Sequence, residues 1–172
     1  MVKKKSAIWE WIETIGIALI LALVIRTFLI QPFYIPSGSM EPTLGIGDKI
    51  IVNKLGSYFK EPERGQVIVF KYPLDPSQDF VKRVIGMPGE TIEIKDSTVY
   101  INGEPLEEEY LPEDLVYGDF GPVTVPENAY FMLGDNRNNS QDSRVWGPVP
   151  EDLIIGQAKI IFWPLDRISV IR

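Results

Sequence analysis

Neither cysteine nor histidine occurs anywhere in the chain. The first absence removes disulfide staples and thiolate chemistry. Together the two remove the usual zinc ligand sets and every Cys/His or Ser/His/Asp nucleophile arrangement. A side-chain base in this protein must therefore be Lys, Asp or Glu. Positive charge is also scarce, with 17 Lys and Arg against 24 Asp and Glu, a net charge of -7. A phosphate backbone needs a concentrated basic surface, so a nucleic-acid partner is not expected. No cofactor is expected either.

Long helical periods are missing after residue 30, and what replaces them is a series of short segments rich in β-branched residues. These cover residues 49–53, 66–70, 80–85, 90–95, 98–101, 123–125, 130–133 and 153–163, separated by turn chemistry drawn from 14 Pro and 14 Gly. Asp96-Ser97 and Asn102-Gly103 read as tight turns, the first joining a hairpin. The acidic stretch 104–121, with Glu107-Glu108-Glu109, reads as an exposed, solvated excursion. The expectation is a mainly β domain over residues 31–172, with 172 residues in all allowing one core of fair size and little more.

One long apolar run stands before that domain. Residues 12–30 read IETIGIALILALVIRTFLI, preceded by Trp9, Trp11 and the cluster Lys3-Lys4-Lys5. About 20 apolar residues cross a bilayer, interfacial tryptophans belong at its edge, and flanking lysines mark the cytoplasmic side. The expectation is a single-pass membrane anchor within residues 1–30, a cytoplasmic N-terminus and the remainder on the outer face. A cleaved signal peptide and a buried core helix are the competing readings; no small-x-small site follows the run, and a core helix rarely needs so unbroken an apolar circumference.

Three segments of the domain suggest chemistry. In Pro36-Ser37-Gly38-Ser39-Met40-Glu41-Pro42, two prolines disfavour helix and a glycine lets backbone approach a bound peptide. Ser39 is the candidate nucleophile and Ser37 the rival, while the Ser39 amide and the Ser37 hydroxyl could together hold an oxyanion. In residues 80–85, alternation puts Phe80, Lys82 and Val84 on one face and Val81, Arg83 and Ile85 on the other. Each face carries one cation, so the pattern does not say which is buried. An inward Lys82 would lose solvation, its pKa would fall, and its neutral amine could take a proton from serine. The third segment, 134–144, is dense in Asp, Asn, Arg and Ser. There Asp142 with Arg144, or Asp135 with Arg137, would form ion pairs that hold the loop, and Ser140 would orient the lysine amine. The neighbouring arginines oppose a metal site.

Taken together these segments resemble the bacterial type I signal peptidase family. The resemblance is carried by Ile35-Pro36-Ser37-Gly38-Ser39-Met40-Glu41-Pro42-Thr43-Leu44, Gly47-Asp48, Lys82-Arg83-Val84-Ile85-Gly86 with Pro88-Gly89, and Gly134-Asp135-Asn136-Arg137 through Asn139-Ser140, Asp142-Ser143-Arg144 and Trp146-Gly147. It implies a serine endopeptidase with Ser39 as nucleophile, Lys82 as base, Ser37 at the oxyanion, Ser140 orienting Lys82, and Asp142 with Arg144 as a structural pair. It implies a signal-peptidase-like β-fold, and preproteins cut after small-x-small sites as substrates. A lipid bilayer and the export machinery would be neighbours. Asn138 departs from the family, where many members carry Asp. Ile35, Leu44 and Val84 are the expected walls of a pocket for small side chains. A self-cleaving repressor-type protease is one alternative, lacking its DNA-binding domain here. A non-catalytic membrane-tethered β module is another, and it has no need for Ser39 and Lys82 together.

Overall fold

The computed structural model describes residues 7–24, 29–55 and 60–172. Helix α1 spans Ala7–Val24. The strands that follow are β1 (Ile30–Tyr34), β2 (Lys49–Asn53), β3 (Val67–Tyr72), β4 (Asp75–Gly86), β5 (Thr91–Lys95) and β6 (Thr98–Ile101). After them come β7 (Glu104–Pro105), β8 (Phe120–Thr124), β9 (Ala129–Leu133), the short helix α2 (Ser143–Trp146), β10 (Val149–Pro150), β11 (Ile154–Trp163) and β12 (Ser169–Val170). They form an antiparallel sheet ordered β1-β2-β11-β3-β4-β9-β10, with β12 on β11, and a four-stranded sheet ordered β7-β6-β5-β8. The mainly β expectation holds.

Period-2 alternation sorts the central strands between three cores. In β3, Val67 and Val69 join Ile50, Val52, Met40 and Leu44 on one side, while Ile68 and Phe70 face the other. In β9, Phe131 and Leu133 meet Ile92, Ile94 and Val99 of the small sheet, and Tyr130 and Met132 turn away from it. Strands buried on both faces read as continuous apolar runs, which β9 does. Where the small sheet crosses β4, a Cβ on Gly86 would stand 2.6 Å from Ile92 Cδ1. Only glycine admits that approach. The expected hairpin forms as well, with positive φ at both Asp96 (48°) and Ser97 (62°), as a two-residue turn of matching twist requires.

The N-terminal expectation is corrected. Glu10 and Glu13 lie in the first half of α1, leaving residues 14–24 uncharged. At about 1.5 Å per residue that stretch extends about 17 Å, well short of a hydrocarbon core of about 30 Å. At the other end of the apolar run, Ile30 is already strand, paired with Asn53. Among the described residues no helix is long and apolar enough to cross a membrane. The transmembrane helix of the expected fold, and the single-pass placement with the domain on the outer face, therefore lose their structural basis. Lys3, Lys4, Lys5 and Arg26 lie outside the described residues.

The acidic excursion also differs from expectation. Glu107 and Glu109 are exposed, but Glu108 pairs with Arg137 at 2.5 Å, their side chains only 7% and 0% accessible. A buried guanidinium supplies what a solvated charge run lacks, a reason for one carboxylate to leave water.

Candidate active site

The serine loop is pinned from below. Met40 and Leu44 are fully buried in the first core, joined by the Leu44 amide donating to the Met40 carbonyl at 2.8 Å. The loop closes where the Ile35 amide donates to the Asp48 carbonyl and the Gly47 amide returns to the Ile35 carbonyl, both at 2.9 Å. With its neighbour Met40 anchored, Ser39 is left half-buried at the rim.

The segment after β9 fixes the same loop from the side. The Asn136 amide donates to the Ser39 carbonyl (3.1 Å), and Asn136 Nδ2 donates to the Gly38 carbonyl (3.0 Å). Two consecutive carbonyls are thus held by one residue. Gly134 sits so close that a Cβ there would collide with the Ser140 side chain and the Ser39 carbonyl oxygen. Asp142 accepts the Gly134 amide, caps α2 through the Arg144 amide, and takes Arg144 Nε at 2.9 Å and its terminal nitrogen at 2.8 Å. The Asp142–Arg144 pairing matches expectation. The alternative Asp135–Arg137 pair does not form, because Asp135 binds Arg83 and Arg137 binds Glu108.

Strand β4 brings in Lys82, which is 3% exposed. Its Nζ lies 2.7 Å from Ser39 Oγ and donates to the Val81 carbonyl at 2.9 Å. No carboxylate pairs with it among the described residues. Burial therefore dominates and pulls its pKa from the ordinary 10.5 down to about 8, partly opposed by the more distant charges of Asp142 and Asp135. The other face of β4 is buried too, with Arg83 1% exposed. Sequence alternation could not choose a buried face because there is no exposed one.

Ser39 and Lys82 open into a cleft of about 520 Å³ that also receives Ser37, Ser140 and Ile35. Ser140 lies against the dyad without a bond to the amine, its hydroxyl reaching the Gln141 carbonyl at 3.4 Å. Leu44 and Val84 are fully buried in the first and third cores and do not line the cleft. Its apolar walls are Ile35, Pro36, Phe80 and Val81 instead. Phe80 was within reach of sequence reasoning, standing two residues before Lys82 on the same face. Asn136 was not, since its value comes from the carbonyls it meets. A larger depression of about 660 Å³ beside Asn128 and Pro150 carries Glu151 and Asp152 but no nucleophile.

Comparison with known proteins gives the family of the chain. Residues 8–163 match the family model described as signal peptidase, peptidase S26. A signal peptidase I of Leptolyngbya laminosa is 48% identical over 175 residues, covering 97% of this chain and 85% of the relative. Signal peptidase I P of Bacillus subtilis subsp. natto is 43% identical, with 96% and 95% covered. The crystal structure of a signal peptidase I from Enterococcus faecalis V583 superposes with a TM-score of 0.51 at 40% identity, covering 57% of this chain and 97% of that one. The chain belongs to the type I signal peptidase family, peptidase S26, serine endopeptidases of protein secretion that act through a Ser-Lys dyad.

Proposed function

We propose that Ser39 and Lys82 are the reacting pair of this peptidase, and that it removes signal peptides from exported preproteins after small-x-small sites. The observation that carries this reading is the 2.7 Å contact between Ser39 Oγ and an Nζ that burial makes deprotonable near neutral pH. The neutral Lys82 amine takes the Ser39 proton as Oγ attacks the scissile carbonyl. The tetrahedral oxyanion is met by the Ser39 amide and the Ser37 hydroxyl. As the carbon–nitrogen bond breaks, Lys82 gives its proton to the leaving amine, then takes one from the water that attacks the acyl ester. As that second tetrahedral adduct collapses, the bond from Oγ to the acyl carbon breaks and Lys82 passes the proton to Oγ, regenerating the Ser39 hydroxyl and the neutral amine.

In this reading Asp142 and Arg144 hold the 134–144 segment in place, and Ser140, which shares the cleft with the dyad, orients the Lys82 amine. Ile35 is a wall of the pocket for the small side chain, while Leu44 and Val84 act from behind by fixing the wall positions. The apolar lining of Ile35, Pro36, Phe80 and Val81 supports a pocket that takes an apolar side chain such as Ala. The catalytic unit is residues 31–172. Preprotein handling also implies a lipid surface and the export machinery as partners, and exposed Trp163, Leu165 and Ile168 suit contact with lipid.

The test is cleavage of a purified preprotein with an Ala-x-Ala site by wild type, Ser39→Ala and Lys82→Ala. Cutting after the final alanine by wild type alone is expected. Equal cutting by either variant removes that residue from the mechanism, and equal cutting of a Leu-x-Leu substrate contradicts the pocket.

A further inference from the structure

Residues 106–119, between β7 and β8, are remote in sequence from Ser39 and Lys82, yet they grip both of the segments that carry the dyad's geometry. Glu108 receives Arg137 through two guanidinium nitrogens, at 2.5 and 3.1 Å, and also accepts the Tyr110 hydroxyl. Arg137 uses its Nε on the Gly134 carbonyl (3.1 Å) and donates again to the Tyr117 hydroxyl (2.8 Å), while its own carbonyl accepts Arg144 (2.7 Å). Arg137 is therefore the hub of the 134–144 segment. Its neighbour Asn136 holds the Gly38 and Ser39 carbonyls. The Tyr110 ring lies 3.8 Å from the guanidinium carbon of Arg83, the residue next to Lys82.

We propose that Glu108 and Tyr110 are positioning residues that hold β4 and the 134–144 segment in fixed relation, keeping Lys82 Nζ within bonding distance of Ser39 Oγ. The inference rests on Ser39 and Lys82 being the reacting pair. Neither Glu108 nor Tyr110 lines the cleft, so neither touches substrate. The link is stiff because a dehydrated, two-pronged Arg–carboxylate pair admits few geometries, and a ring stacked on a guanidinium fixes the second arginine. Burial, and then the Glu108 charge, keep the Tyr110 hydroxyl protonated and able to donate. A displacement of ~1 Å between nucleophile and base costs about 100-fold in rate, so a modest loosening here is read out at Ser39.

The experiment compares wild type, Glu108→Gln, Tyr110→Ala, Tyr110→Phe and, as control, Ser39→Ala. Active sites are counted by the burst of a serine-acylating reagent, and folding is followed by thermal melting. With preprotein, kcat per titrated site is expected to fall about 10- to 100-fold in Glu108→Gln and Tyr110→Ala, with KM within about twofold of wild type. Tyr110→Phe keeps the ring on Arg83 and is expected to retain most of the rate. Per-site kcat within about twofold of wild type in a folded Glu108→Gln, with only a lower melting temperature, overturns the proposal, since a purely stabilising role changes the number of sites and not their rate. Where Glu108→Gln gives no cooperative melt, Tyr110→Ala decides on the same criterion. Cleavage by Ser39→Ala at the wild-type rate instead refutes the dyad assignment, a distinct failure.

Discussion

Lys82 and Arg83 are consecutive, equally buried and oppositely treated. Arg83 donates to Asp135 through two nitrogens at 2.9 and 2.7 Å, to Thr43, and to the carbonyls of Gly65 and Arg172, with Tyr110 over its plane. Every donor direction of a permanently charged group is met, and a carboxylate neutralises it. Lys82, one residue away on the opposite face, has a hydroxyl and a backbone carbonyl. Burial disfavours its charged form with no paired carboxylate to offset the loss of water, and the pKa falls to about 8. The same strand thus carries one cation for structure and one amine for proton transfer, and the difference lies in the partner supplied. Guanidinium suits the first task because it does not deprotonate, and lysine suits the second because it does.

The largest break in this comparison comes from exchanging the two chemistries. Lys82→Arg keeps a positive charge but supplies no base, and preprotein cleavage is expected to fall about 1,000-fold or more, as for Lys82→Ala. Next in size, Asp135→Ala strands Arg83 as an unpaired buried charge and should cost about 3–5 kcal/mol in a denaturant melt. Lys82→Met moves stability the other way. The folded pKa of Lys82 lies below its ordinary value, so the folded state binds fewer protons between about 8 and 10.5, and stability rises with pH across that window. Below pH 8 the methionine variant should be about 3 kcal/mol more stable, and the gain should vanish above pH 10.5. The smallest effect is electrostatic. Asp142→Asn removes the charge that most opposes the lowering, so the midpoint of the pH–rate profile should move toward acid.

What could be read in the chain follows from whether the information is local. The β5–β6 hairpin is written in Asp96-Ser97, and the buried strand β9 in its unbroken apolar run. The serine loop, with Ser39 between its prolines, and Lys82 two residues beyond Phe80, were legible as candidates. Pairing was harder. Asp135 and Arg137 are sequence neighbours, but each finds its partner across the fold, in Arg83 and Glu108, and no spacing rule encodes such distant matches. Leu44 and Val84 lie near Ser39 and Lys82 in sequence but point into cores, since proximity along the chain does not set direction. Hydropathy summed across residues 12–30 counted Ile30 with the helix, although the β1–β2 pairing claims it for a strand.

Titration of Lys82 itself tests the account most directly. The chain is labelled at lysine Cε and the Lys82 signal is identified by its absence in Lys82→Met. The account predicts a midpoint near pH 8, coincident with the rise of the cleavage rate. A Lys82 midpoint near the ordinary 10.5, with cleavage already maximal at pH 8, would contradict it.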